Sequence, residues 1–166
     1  MSRGFVKEDD QEEIPMVPPR ADLPEGVTNY MTQVGMDELL VEKKLLINKR
    51  DHLENTNENE RRIAVNHINA KLQLLNNRIS TAKIVDLNKQ PQNEIRFGAL
   101  ITLKIGNEKK LQHYQIVGVD EADISKGKIS FISPIARILT NKKAGDKAIL
   151  KLIKEDRIFE IIEITY

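Results

Sequence analysis

The sequence predicts an α+β protein, an N-terminal antiparallel α-helical coiled-coil hairpin followed by a small domain with an antiparallel sheet. Three observations predict it. From Met36 to Ala82 apolar residues recur at steps of three and four, the spacing of one helical seam. After Lys83 the pattern changes to short β-branched and aromatic runs separated by turn residues. Prolines 15, 18, 19 and 24 crowd the beginning, whereas no proline or glycine interrupts Asn59 to Ala82. The chain therefore divides into residues 1–31, 32–82 and 83–166.

The first segment carries three basic against seven acidic residues and little apolar surface. Proline, low hydrophobicity and like charge predict an extended or disordered, solubilising tail.

In the hairpin, Val65, Ile68, Leu72, Leu75, Ile79 and Ala82 form one seam. Met36, Leu39, Leu46 and Leu53 form its counterpart, thickened by Leu40 and Ile47. Folded antiparallel, residues whose numbers sum to about 118 face each other, which puts the turn near Asn57 to Asn59. Asn55 suits the left-handed residue that ends a helix, and Asn57 with Glu60 resembles a capping box opening the next. The acids at this tip have an ordinary role as caps, since a helix start attracts negative charge.

The second unit reads as Ile95–Lys104, a turn at Gly106-Asn107, and Leu111–Val119. An acidic loop, Asp120–Gly127, leads to a third strand, Lys128–Ser133. A short helix over Pro134–Leu139 has proline in its first turn. A basic turn, Lys142–Asp146, precedes a closing hairpin of Lys147–Lys154 and Arg157–Tyr166.

Composition excludes several function classes. The 166 residues are 31% charged, yet the net charge is only +1, which argues against a bulk electrostatic grip on nucleic acid. There is no cysteine, hence no disulfide and no cysteine-based zinc site. His52, His67 and His113 lack metal-ligand spacing, and no Walker loop or dinucleotide fingerprint occurs. The N-terminus has no apolar signal core and no run approaches membrane-spanning length, so a cytoplasmic protein is expected.

One block is more specific. Asp120-Glu121-Ala122-Asp123, Ile129-Ser130, Ser133-Pro134-Ile135-Ala136-Arg137 and Lys143 with Gly145-Asp146 resemble the C-terminal domain of the Gre transcript-cleavage factors. Ile84-Val85-Asp86 and Phe97-Gly98-Ala99 sit where that family joins hairpin to domain. The resemblance covers about residues 32–166 and implies an FKBP-like second domain. It also implies a monomeric accessory factor, not itself an enzyme, that docks on bacterial RNA polymerase at the secondary channel. The hairpin would then reach the active centre and stimulate cleavage of nascent RNA in backtracked complexes. Tip carboxylates would act there in trans, helping the polymerase hold a shared Mg²⁺, with no metal held by the free protein.

The family's tip motif, Asp-x-x-Glu-Asn, is matched by Asp51-His52-Leu53-Glu54-Asn55, whereas hairpin symmetry points to Glu58, with Glu54 and Glu60 beside it. Candidate tip acids are therefore Asp51, Glu54, Glu58 and Glu60. Candidate docking residues, carried over from the family, are Asp120, Asp123, Ser133, Pro134 and Ile135. The hairpin reads as about two turns per arm shorter than the family's, roughly 10 Å. That leaves a binding-only regulator without cleavage activity as the alternative. A peptidyl-prolyl isomerase is disfavoured, because the domain is poor in the aromatics that line such a site.

Overall fold

The computed structural model describes residues 14–54 and 57–166. The proposed cap at Asn55 and the acids from Glu8 to Glu13 lie outside the described residues. Two helices, α1 (Gln33–Asp51) and α2 (Glu58–Thr81), form the antiparallel hairpin. Thr32 caps α1, its hydroxyl accepting from the Gly35 N–H, and Lys49 and Arg50 sit in the last turn, where the helix dipole favours cations. Asn57 caps α2 by accepting from the Asn59 N–H.

The helices pack through Leu39, Leu75 and Met31, with Met36, Leu46, Ile79 and Ala82 around them. Farther out, Arg50 donates to the Asn69 side chain at 3.1 Å. Their numbers sum to 119, one away from the mirror register. The break between helices differs from the sequence reading, however. The chain leaves α1 at His52, whose backbone N–H still bonds the Asn48 carbonyl, and Glu58 and Asn59 are already helical. The turn therefore precedes Asn57–Asn59. Leu53 has left the helix and cannot pair with Val65 as a seam residue.

The sheet has the order β5-β4-β3-β7-β6. Its strands are β3 (Leu100–Ile105), β4 (Gln112–Val117), β5 (Lys128–Ser130), β6 (Lys147–Leu150) and β7 (Arg157–Thr165), with α3 (Pro134–Leu139) between β5 and β6. Buried Leu103, Ile116, Ile129, Leu139, Phe159 and Ile161 anchor its core. The α+β class holds, but the sheet is mixed rather than antiparallel, because β5 runs parallel to β4. The loop from Gly118 to Gly127 is a crossover, which a parallel neighbour requires and a tight hairpin cannot supply.

The first strand is also shorter than the 95–104 run. At Gly98 the backbone takes φ +89°, and its N–H bonds the Ile116 carbonyl at 2.8 Å. The Cβ of any other residue there would lie 2.1 Å from a Leu87 methyl. Ile95 is buried nonetheless, bonded through its backbone to Lys142 and Asn141.

The segment before the hairpin departs most from its expected role as a tail. A two-residue strand, β1 (Tyr30–Met31), pairs in parallel with β2 (Lys83–Ile84), beside the end of α2. Met31 is fully buried. The Tyr30 ring meets Phe97 and Phe131 with centroids 5.9 and 5.7 Å apart, so an aromatic trio joins hairpin base to sheet. Residues 14–31 are proline-rich but carry only two acids, Asp22 and Glu25, and their anchors Arg20, Asn29, Tyr30 and Met31 find partners far along the chain.

Candidate functional site

The tip acids are spread over two helix ends. Asp51 is the last residue of α1 and pairs with Arg50 at 3.3 Å. Glu54 follows in the connection, while Glu58 and Glu60 occupy the first turn of α2. All four are exposed. With Arg50 opposite Asn69, the α2 residues before about 67 extend past the end of α1, an overhang of roughly 15 Å. The far end of the hairpin is thus the start of α2, with Glu58 there and Asp51 set back. Carboxylate oxygens are the donors a hard divalent cation takes. Among the described residues, no group of three or more His, Asp or Glu side chains converges to hold a metal. These acids suit one or two positions in a site completed elsewhere.

The second candidate group lies around α3. Ser133 caps that helix, its Oγ accepting from the Ala136 N–H at 3.2 Å. Pro134 follows, exposed, in the position where its missing N–H costs nothing. Ile135 turns inward against the core. Asp123 begins the turn Ile124–Lys126 and accepts from both the hydroxyl and the N–H of Ser125. Those bonds, the hydroxyl's first, hold its carboxyl below the usual carboxylate range.

Asp120 is elsewhere. Its side chain is only 2% exposed, between Arg20 at 2.9 Å and Arg78 at 3.7 Å. In the free chain this candidate is an internal partner in the junction of hairpin and domain. Ser133, Pro134 and Ile135 share the start of α3, whereas the side chain of Asp120 is engaged by the two arginines.

Glu121, beside it, is buried as well. One carboxylate oxygen accepts from the backbone N–H groups of Thr32 and Gly118, at 3.1 and 3.2 Å. The other takes the Thr32 hydroxyl proton. The Thr32 oxygen in turn accepts the Gly35 N–H that caps α1. A buried charge with three donors is satisfied, and it ties the first turn of α1 to the loop after β4.

Residues 90–166 match the C-terminal domain of the transcription elongation factor GreA/GreB family. The transcription elongation factor GreA of Sinorhizobium medicae is 33% identical over 116 residues, 70% of this chain and 73% of that one. The chain belongs to the GreA/GreB family. The GreA of Hyphomonas neptunium is 37% identical over 99 residues, 60% of this chain and 63% of the relative's length. The chain thus spans somewhat under two thirds of that relative. The crystal structure of GreA factor homolog 1 of Thermus thermophilus aligns with 84% of this chain and all of that one, at 20% identity and a TM-score of 0.40.

Within the GreA/GreB domain match lie Asp120, Asp123, Ser133, Pro134 and Ile135; the tip acids lie outside it. Sequence reasoning missed Glu121 as a joint to Thr32, and Arg20 and Arg78 as the partners of Asp120. No local signal set Glu121 apart, since it sits between Asp120 and Ala122 in an acidic loop. Nothing near Arg20 marks it, because its partners are Glu42 and Asp120, the latter 100 positions away. No helix among the described residues is long and apolar enough to cross a membrane.

Proposed function

We propose that this protein is an accessory elongation factor of bacterial RNA polymerase that stimulates cleavage of nascent RNA in backtracked complexes. The observation that carries the reading is the coupling of two parts. A domain matching the GreA/GreB family holds, through Glu121 and Thr32, the base of a hairpin whose far end carries exposed acids. The protein acts as a cytoplasmic monomer: the domain docks at the rim of the secondary channel through the face around Pro134, and the hairpin enters the channel. Its length supports entry, since α2 alone measures about 36 Å over 24 residues.

Chemically, the chain supplies carboxylates and their placement. Mg²⁺ bound between these acids and the polymerase would activate a water and stabilise developing charge on phosphate. Glu58 is the first residue of α2, and the Asn57 cap fixes the backbone turn on which it stands. Glu60 lies two positions on, and Asp51 is drawn towards Arg50. Rigid placement matters because a catalytic ligand out of position by an ångström loses much of its effect.

The test is a cleavage assay on stalled complexes of the cognate polymerase. Glu58→Gln keeps the tip's shape and removes one charge; it should abolish stimulated cleavage, and Asp51→Asn should be mild. The reverse ranking would assign the work to Asp51 and Glu54. Raised Mg²⁺ should partly rescue the damaging variant by mass action. A wild-type protein that competes for the channel yet stimulates no cleavage at any Mg²⁺ would leave the binding-only reading in place.

A further inference from the structure

The segment before the hairpin is fastened at successive points. Pro19 to Leu23 lie over Leu74 and Arg78 of α2. The Ala21 carbonyl accepts from the Arg78 guanidinium. Asn29 donates to the Arg78 carbonyl at 3.0 Å, satisfying a group that the end of α2 leaves without a helical partner. Between these points stands Arg20. Its two terminal nitrogens bond both oxygens of Glu42 at 2.8 and 3.1 Å, and its Nε bonds Asp120 at 2.9 Å.

We propose that residues 18–29 are an intramolecular strap, stapled by Arg20, that fixes the angle between hairpin and domain. The joints made by Glu121 with Thr32 and by Asp120 with Arg78 both lie at the hairpin base, where α1 begins and α2 ends. Contacts near a pivot resist rotation with short levers, and the 3.9 Å pair of Lys128 with Glu38 lies only three residues up α1 from Gly35. Glu42 is seven residues beyond Gly35, about 10 Å up the axis of α1. Tying Glu42 to Asp120 therefore adds a contact farther up α1 than any of these, where the longer lever holds the angle best.

Arginine suits this role, since its planar fork engages one carboxylate with two bonds and leaves a third donor for another. Its charge is permanent, and the bonds to Glu42 hold its pKa above its ordinary value. The bland role of a stabilising surface pair is set aside by geometry: one side chain contacts a helix, the domain loop and, through its own backbone, the strap.

The absence of cysteine makes the test direct. Spin labels at Arg61→Cys on α2 and Lys104→Cys on β3 report the distance between hairpin and sheet by pulsed dipolar spectroscopy. The otherwise unaltered chain should give one narrow distribution. Arg20→Ala should roughly double its width or add a second population, as a second orientation becomes accessible. Glu42→Gln, which leaves the strap's other contacts in place, should act in the same direction. A second label pair, Lys104→Cys with Lys147→Cys, should be unchanged, which separates reorientation from unfolding. Unchanged hairpin-to-sheet distributions in both variants, or a broad one before any change to Arg20, would overturn the strap. The measurement is made on the free protein, so its outcome is independent of whether the polymerase reading holds.

Discussion

At Gly35 even a methyl group would place its Cβ 2.1 Å from the Glu121 carboxyl carbon. Glu121 cannot step aside cheaply, because retreat would strip three donors from a buried charge. Gly35→Ala should cost about 1–3 kcal/mol in urea unfolding, the usual penalty of overpacking. A loss below about 0.5 kcal/mol, the range of neutral surface changes, would show that the joint yields. Tyr166 offers a pH test at the same scale. Burial pushes its hydroxyl above the ordinary tyrosine value, and that hydroxyl donates to the Glu94 carbonyl at 2.6 Å. A folded-state pKa above the unfolded one gives stability that is complete below the unfolded value, about 10, and lost as pH rises through the folded one. Melting temperature should therefore fall at alkaline pH in the wild type, and this part of the fall should vanish in Tyr166→Phe. Caps were legible at this scale, Ser133-Pro134 and Asn57 among them, because their partners are two or three residues away. Glu121 and Arg20 were not, since their partners are 89 and 100 positions distant.

Among the elements, the hairpin was the most legible, for a physical reason: a seam repeats its message every turn. Leu39, Ile68, Leu72 and Leu75 are its buried members, as their spacing predicts. Its connection was misplaced because mirror symmetry assumes equal arms, whereas α1 ends at Asp51 and α2 runs on past it. The parallel β4–β5 pair was read as antiparallel for a related reason. Alternation within a three-residue strand carries no direction, and only the length of the Gly118–Gly127 loop hinted at a crossover. The seam can be tested against its own outer face. Leu75 is fully buried and Leu45 is 64% exposed. Leu75→Ala should cost about 2–5 kcal/mol, the range for emptying a packed site. Leu45→Ala should stay within about 0.5 kcal/mol. Equal losses in calorimetric or urea unfolding would show that α1 buries a different face.

For the whole molecule, the proposed docking face and the proposed tip acids belong to separate parts. The face around α3 exposes Pro134 and, three residues on, Arg137; Pro134 is flanked by a serine committed to capping and an isoleucine packed against the core. A change at Pro134 can therefore alter the surface without disturbing what holds it. Aspartate at the first helical position is compatible with the dipole of α3, so Pro134→Asp should fold with a melting temperature close to wild type. If this face docks on polymerase, a new charge in a desolvated contact should lower affinity by about tenfold or more, near 1.4 kcal/mol. Cleavage should fall in step at limiting factor and recover at saturating factor, since the tip is untouched. Glu58→Gln should do the opposite, leaving affinity near wild type and abolishing cleavage even at saturation. The two profiles are distinguishable in one titration of factor against stalled complexes. Should Pro134→Asp bind as well as wild type, the docking face lies elsewhere on the domain. Should it bind normally and yet lose cleavage at saturation, the domain would govern the hairpin's aim rather than its anchorage, and the Glu121–Thr32 joint would be the first place to look.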